Sequence, residues 1–366
     1  MAFSILINLF WFLIIGGIIL FLIKRRSKRF RGKSFLDIAS SQEDMVSQVF
    51  FLLALFSLGV TLSALNRDMG DLVEWQTIIL FTTIVGFFIA YYFKILYCLP
   101  VSIISFIIWW GVKAADWVDG KDIRSSVVFA GAVLISLSLY VVGNIHKINW
   151  KFKRFSLVYV VFGIISVTAF LFFLSNRWGM QSLQEMTEGK MIFGSWQITV
   201  SFLVIVLSLV LSLGYTFFKK YISKYEAATV ACVAGFFVCL PFFPQLQLFE
   251  TSSAYRDYYF SAKEFSSFGI IWAFTFNVFI FLEILGIILL GYIQRQEWLI
   301  NLGALFLFIL IGVKYFDWFF TFFDKSIFFI SAGIILFIVG WFMEKGRKYM
   351  LSITKEEHDN KVESIN

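Results

Sequence analysis

One carboxyl within an apolar stretch is the residue whose type and position most directly indicate chemistry. Glu283 lies in the apolar run 268–293, about three residues, or about 4.5 Å, from its centre. An ionisable side chain at the centre of a membrane helix costs roughly 2.5–3.5 kcal/mol on insertion scales. A carboxyl at such a depth can take up and release a proton, or bind a cation, in a transport path. The alternative is a protonated or hydrogen-bonded carboxyl that fixes helix packing.

A second pair of ionisable residues lies near the end of a later apolar run. Lys314 and Asp317 are three residues apart, a spacing that allows an ion pair on a helix. Counting about twenty residues from position 299 puts Asp317 at the outer boundary of the bilayer and Lys314 one turn inside it. From there the lysine can extend its ammonium group toward water. We expect this pair to be architectural, with substrate binding as the alternative.

Three tyrosines mark the long segment 247–267. Tyr255, Tyr258 and Tyr259, followed by Ala262, fall at positions i, i+3, i+4 and i+7, which is typical of an amphipathic helix on a membrane surface. Their rings could stack on a sugar or a lipid headgroup. An aromatic belt at the membrane interface is the simpler interpretation.

Other chemistries find little support in the sequence. Neither the GxxxxGK[ST] loop for nucleotide phosphates nor the GxSxG nucleophile elbow is present. The two histidines, His146 and His358, both fall in segments expected to be cytoplasmic, so a haem or histidine metal site within the membrane is not expected. The three cysteines lie in apolar runs without a CxxC motif. We therefore predict no cofactor, no metal site and no catalytic residue.

Composition indicates the kind of fold that holds these residues in place. The chain has 366 residues, of which 60% are hydrophobic and 15% charged, whereas soluble domains are about 45–50% apolar and about 25% charged. One soluble core could not shield 48 phenylalanines from water, but lipid tails are as apolar as those side chains. The sequence predicts an all-α, polytopic integral membrane helical bundle.

Eleven apolar runs are long enough, with their flanks, to cross a bilayer. The chain then divides into a first span at 1–23, a basic cytoplasmic segment at 24–45, a ten-span membrane domain at 46–348 and a cytoplasmic tail at 349–366. Pro100 is expected to kink the fourth span, and Pro241 and Pro244 to end the eighth. The runs are 3–23, 46–65, 75–93, 95–112, 125–143, 155–174, 196–218, one from about 227, 268–293, 299–312 and 327–343.

Basic residues set the predicted orientation. Seven of them lie in the ten positions from Lys24 to Lys33, and positive segments stay in the cytoplasm. With the N-terminus outside and the C-terminus inside, 21 of the 31 Lys and Arg residues fall on the cytoplasmic side. A ten-span alternative without the weak fourth span breaks this agreement. Anionic lipids are the expected partners of the Lys24 to Lys33 cluster, and nucleic acid is not, because no basic domain interleaved with aromatic residues follows.

The C-terminal hairpin carries a resemblance to a known family. Lys314-Tyr-Phe-Asp317, then Asp324-Lys-Ser-Ile-Phe-Phe-Ile-Ser-Ala-Gly333, then a last span with a basic end, resembles an uncharacterised family of bacterial predicted multi-pass membrane proteins. In that family a K/R-Y-F-D turn precedes an F-F-x-x-x-G span. Residues 50–93 are also similar to its first hairpin, whereas the first span departs from its pattern. The resemblance implies an inner-membrane location, no assigned reaction and no site residues.

Three functions remain open from the sequence. The leading hypothesis is a transport or permeation protein in which Glu283 is a coupling or gating carboxyl. The second is a non-catalytic membrane subunit or scaffold of an envelope complex, which binds a membrane-protein partner or a second copy through the stripe Ala227, Ala231 and Gly235. The third, an integral-membrane enzyme acting on lipid-linked substrates, is the weakest. Its candidate external acids, Asp68, Asp71 and Asp257, form no pair at a diagnostic spacing.

Overall fold

The computed structural model describes residues 45–147, 152–243, 245–249, 265–294, 296–319 and a few positions between 333 and 345. The predicted first span and the basic cluster from Lys24 to Lys33 lie outside these residues. So do Tyr255, Tyr258 and Tyr259, and most of the predicted last span.

The described chain is built from α-helices, because a backbone in hydrocarbon must satisfy its own hydrogen bonds. Within the described ranges, nine helices are long and apolar enough to cross a bilayer, and only the short α6 is not. They correspond to the second to tenth predicted spans, so the prediction of a multi-pass helical membrane protein is confirmed. The total of eleven spans and the orientation stay predictions. The helices are α1 Met45–Asp68, α2 Trp75–Phe93, α3 Cys98–Val118, α4 Ser126–His146, α5 Lys153–Ser175, α6 Arg177–Thr187, α7 Trp196–Phe218, α8 Lys224–Cys239, α9 Ser267–Gln294 and α10 Glu297–Phe319.

Local chemistry explains several helix boundaries. α2 ends where Lys94 takes a left-handed conformation, with φ 56°, and its backbone N–H donates to the Ala90 carbonyl. α8 begins with a capping box, in which the Ser223 and Glu226 side chains each accept from the other residue's backbone N–H. α8 is followed by a single 3-10 turn, Leu240–Phe242, that contains Pro241, as expected for a proline that ends a helix.

α3 differs from its predicted span at both ends. It starts at Cys98, so Pro100 lies in the first turn, where its missing N–H breaks no intrahelical bond. Pro100 therefore belongs to the helix start and does not kink the middle of the span. α3 also runs to Val118, beyond the predicted end at 112, and carries two polar contacts in its added turns. Lys113 forms an ion pair with Glu74, and Asp116 Oδ2 accepts a hydrogen bond of 2.7 Å from Gln76.

α6 is a helix where the sequence predicted a long loop between two spans. Its Met180, Leu183 and Thr187 are fully buried, whereas the Trp178 side chain is 80% exposed. The helix has 11 residues and a polar composition, so it falls below the length and apolarity that identify a span. The amphipathic spacing of its buried residues was the available signal.

The chain divides into two compact units, and α5 continues from the first into the second. The first unit comprises the described parts of Met1–Val167 and Met186–Pro244. In it α2 packs against α1 and α3, and α4 packs against α3, α7 and α8. Thirteen of the 21 residues of α4 are buried, so this helix is the core of the first unit.

Two glycines let α4 and α5 approach closely. A Cβ atom added to Gly143 would lie 2.6 Å from Val160 Cγ2 and 2.9 Å from the Val160 nitrogen. A Cβ atom added to Gly163 would lie 2.7 Å from the Tyr140 nitrogen. Backbone lies against backbone at this crossing, as is common where small residues mediate helix packing in membranes.

Arg124 joins three connecting segments of the first unit. Its Nε donates to the Gly189 carbonyl at 3.0 Å, and its guanidinium NH1 donates to the carbonyls of Pro241 and Phe243 at 3.1 and 2.8 Å. The Arg124 backbone N–H also donates to the Met191 carbonyl at 2.9 Å. These bonds fix the chain before α4 to the segments that precede α7 and follow α8.

The glycine crossing gives the first prediction. We expect Gly163→Ala to lower the free energy of unfolding by about 1–3 kcal/mol, because its methyl group would overlap the Tyr140 backbone. Gly214→Ala in α7 is the matched control, since no atom lies within 4 Å of its Cβ position, and alanine there should be neutral or stabilising by about 1 kcal/mol. Unfolding of both variants in mixed micelles would measure the difference. Equal stabilities would contradict the close crossing.

Candidate functional site

The candidate site lies in the second unit, within the described parts of Thr168–Glu185 and Gln245–Asn366. There α9 packs against α10, and the end of α5 lies beside them. α9 is apolar on nearly all sides and buries one face, whose residues recur every three or four positions along it. Its buried residues are Gly269, Trp272, Phe276, Ile280, Ile284, Ile287 and Gly291.

Glu283 is held at membrane depth by a hydrogen bond between helices. The hydroxyl of Thr168 on α5 donates to Glu283 Oε1 at 2.9 Å. Thr168 is 1% exposed. Glu283 lies 11 residues, or about 16 Å, from the nearer end of α9, so the central position predicted from the sequence agrees with the helix as observed.

The other carboxyl oxygen of Glu283 is enclosed and makes no hydrogen bond among the described residues. Its neighbours along the helix, Ile280 and Ile284, are fully buried and offer no polar side chain. More than nine in ten buried polar groups in folded proteins find a partner, so an exception calls for a physical reason. A proton, or an ion that arrives and leaves, would supply one.

Lys314 and Asn277 meet the end of α5 two turns away from Thr168. Both side chains donate to the Ser175 carbonyl, Lys314 Nζ at 2.5 Å and Asn277 Nδ2 at 3.5 Å. Lys314 Nζ also lies 3.4 Å from Asn176 Oδ1. The last carbonyls of a helix lack partners and carry partial negative charge, so a cation there is favourable. Although Asn277 is 240° around α9 from Glu283, both side chains reach α5.

The structure describes contacts for two of the predicted site residues. Glu283 contacts Thr168, and Lys314 contacts the end of α5, while the architectural role of Lys314 stays a prediction. Asp317 lies in α10, but its side chain is outside the described residues, so the Lys314–Asp317 pair stays a prediction. The tyrosine surface is likewise outside the description.

A second polar cluster, in the first unit, was missed by the sequence analysis. The Tyr91 hydroxyl lies 3.0 Å from His146 Nε2 and 2.8 Å from the Tyr159 hydroxyl. His146 Nδ1 lies 2.8 Å from the Val142 carbonyl. Nothing in the sequence signals this cluster, because Tyr91 is 55 and 68 residues from its two partners.

Among the described residues, no three His, Cys, Asp or Glu side chains come together in a way that could hold a metal ion. The described contacts of the candidate site are those of a carboxyl with one hydroxyl donor.

Known proteins provide no relative for comparison. No protein-family model, curated protein or solved structure matches this chain. The resemblance of the C-terminal hairpin to a bacterial membrane-protein family therefore stays a prediction.

The Thr168 contact gives the second prediction. Thr168→Val keeps the side-chain shape but removes the donor to Glu283, and we expect the free energy of unfolding to fall by about 1–3 kcal/mol. We also expect the infrared C=O stretching band of the Glu283 carboxyl, assigned by difference from Glu283→Gln, to move to higher frequency as that bond is lost. Thr275→Val is the control, since the Thr275 hydroxyl donates to the Ile271 carbonyl of its own helix at 2.8 Å. An unmoved band in Thr168→Val would contradict the contact.

Proposed function

We propose that this multi-pass membrane protein is a transport or permeation protein in which Glu283 is the coupling carboxyl. The observation that carries the proposal is the enclosed Glu283 oxygen that has no hydrogen-bond partner among the described residues. That oxygen is where a proton or a cation would bind during transport.

The balance of costs supports a functional carboxyl over a packing one. An ionisable group at this depth costs roughly 2.5–3.5 kcal/mol on insertion scales. A carboxyl kept only to join two helices would gain most by pairing both oxygens, because a half-satisfied buried polar group is worse than an apolar one. Glu283 pairs one oxygen with Thr168, which orients the group and keeps the second oxygen for a transported ion.

Lys314 and Asn277 have a supporting role in this proposal. By holding the Ser175 carbonyl they fix the end of α5, which keeps Thr168, seven residues upstream, facing Glu283. The inner-membrane location that the family resemblance implies, and the cytoplasmic C-terminus that the basic residues predict, belong to the same proposal.

A scaffold is the second candidate, and one observation favours it. In the small-residue stripe of α8, Ala227 is buried, but Ala231 is exposed and no atom lies within 4 Å of a Cβ at Gly235. Packing among the described residues therefore leaves part of the stripe uncovered. A scaffold would lose its partner in a detergent pull-down when Gly235 is enlarged to leucine, and would be indifferent to Glu283.

Flux through liposomes tests the leading proposal. The purified protein is reconstituted into liposomes that contain a pH-sensitive dye, and a potassium diffusion potential drives proton entry. Sodium and potassium flux are measured in parallel with ion-selective dyes. We expect the wild type to conduct one of these ions and Glu283→Gln to reduce that flux at least about tenfold, equivalent to about 1.4 kcal/mol.

Glu297→Gln is the matched control, because Glu297 is an exposed carboxyl in the first turn of α10 and should leave flux unchanged. Folding of each variant is checked by size-exclusion chromatography and circular dichroism. Flux that persists in Glu283→Leu, or a host phenotype that this variant leaves unchanged, would show that the coupling idea is wrong.

A further inference from the structure

The cluster of Tyr91, His146 and Tyr159 joins three spans at one end. Tyr91 lies two residues before the end of α2, His146 is the last residue of α4, and Tyr159 lies in the second turn of α5. Successive spans alternate in direction, so these three positions lie at the same membrane face, the one predicted to be cytoplasmic. The cluster belongs to the first unit and does not depend on Glu283.

The two hydrogen bonds of His146 determine which group donates and which accepts in each hydrogen bond of the cluster. Because the Val142 oxygen can only accept, His146 Nδ1 carries the hydrogen and donates to it. In neutral imidazole the other nitrogen then accepts, so the Tyr91 hydroxyl donates to His146 Nε2. Tyr91 has one hydrogen, so the Tyr159 hydroxyl must donate to Tyr91. Each donor in this arrangement has an acceptor.

Protonation of His146 reverses this order. Both ring nitrogens then donate, so the Tyr91 oxygen must accept from Nε2. One of the two tyrosine hydroxyl hydrogens is then left without an acceptor within the cluster, where Tyr159 is 5% exposed. A buried donor left without an acceptor costs about 1–3 kcal/mol. The closed arrangement is therefore complete only while His146 is neutral.

The surroundings of His146 are aromatic and positively charged. The Tyr159 ring stacks on the imidazole at 5.3 Å between centroids, and the Phe152 ring lies 6.1 Å away. Glu226, the carboxylate at this end of α8, is held in its capping box with Ser223. A charge on His146 would lie among lysine and arginine side chains at the C-terminal end of α4, and the partial negative charge of that helix end offsets part of the repulsion. Among the described residues, the other ionisable groups at this end of α4 and of the elements next to it are Tyr92, Lys94, Tyr97, Cys98, Tyr140, Lys147, Lys153, Arg154, Tyr215, Lys219, Lys220, Tyr221, Lys224 and Tyr225.

We propose that Tyr91, His146 and Tyr159 form a proton-responsive latch, which holds the ends of α2, α4 and α5 together while His146 is neutral and releases them when it takes up a proton. The close crossing of α4 and α5 at Gly143 and Gly163 lies next to the latch, and none of the three latch side chains is among the atoms nearest to these glycines. Separation of α4 and α5 is therefore confined to their ends. The latch makes the face predicted to be cytoplasmic responsive to pH through the charge of one imidazole.

Two measurements on one protein test the latch. His358→Asn leaves His146 as the single histidine of the chain, so its imidazole can be followed by NMR in nanodiscs with labelled histidine. Hydrogen–deuterium exchange of residues 88–94, 140–147 and 152–160 is measured over the same pH series, after correction for the intrinsic pH dependence of exchange. We expect exchange at these helix ends to rise about fivefold to tenfold on acidification, with the same midpoint as His146. A peptide from the middle of α7 should not change.

Two variants test whether His146 causes the pH response of hydrogen exchange at the helix ends. In His146→Asn we expect the three helix ends to exchange equally at pH 8 and pH 5. Tyr215→Phe is the matched control, because Tyr215 is paired with Tyr221 near the end of α7 and should leave the pH response intact. The proposal is overturned if His146 titrates without a change in exchange, or if the pH response survives in His146→Asn. Should His146→Asn fail to fold, the comparison of midpoints in His358→Asn alone decides the matter.

Discussion

The cost of an unpaired polar group in hydrocarbon is the constraint on which this structure depends. It requires the backbone to be helical, and it also governs the side chains. Most hydroxyls within the described spans return to a carbonyl of their own helix three or four residues back. Examples are Ser102 to Cys98, Ser136 to Ala132 and Thr275 to Ile271. Such bonds satisfy the group but join nothing.

Polar bonds between different helices, by contrast, mark the positions where side chains connect two spans. Thr168 reaches Glu283 on another helix, Lys314 reaches the Ser175 carbonyl, and Tyr91 joins His146 to Tyr159. Each of these bonds fixes the relative position of two spans, which lipid-facing apolar side chains do only through packing. The first contains a carboxyl and the third an imidazole, and these two lie in different units of the chain.

The sequence predicted the elements well and the contacts poorly, for a physical reason. The bounds of α2 and α7 agree with the predicted spans residue for residue. Bilayer thickness sets the length of an apolar run, and that length can be counted directly in the sequence. The depth of Glu283 follows from the same count. Its partner Thr168 is 115 residues away along the chain, and one threonine in an apolar run has no distinctive pattern. α6 was missed because it is too short and too polar to count as a span.

The bonds of Arg124 have a consequence for how the protein is made. The guanidinium donates to carbonyls that lie 65, 117 and 119 residues further along the chain. When the segment before α4 leaves the ribosome, none of these acceptors has been synthesised. The Gly189 carbonyl is made before α7, whereas the carbonyls of Pro241 and Phe243 are made only after α8. The hydrogen-bond set of Arg124 is therefore completed only after two further spans have been synthesised, so assembly of the first unit cannot finish while its early helices are the only ones present.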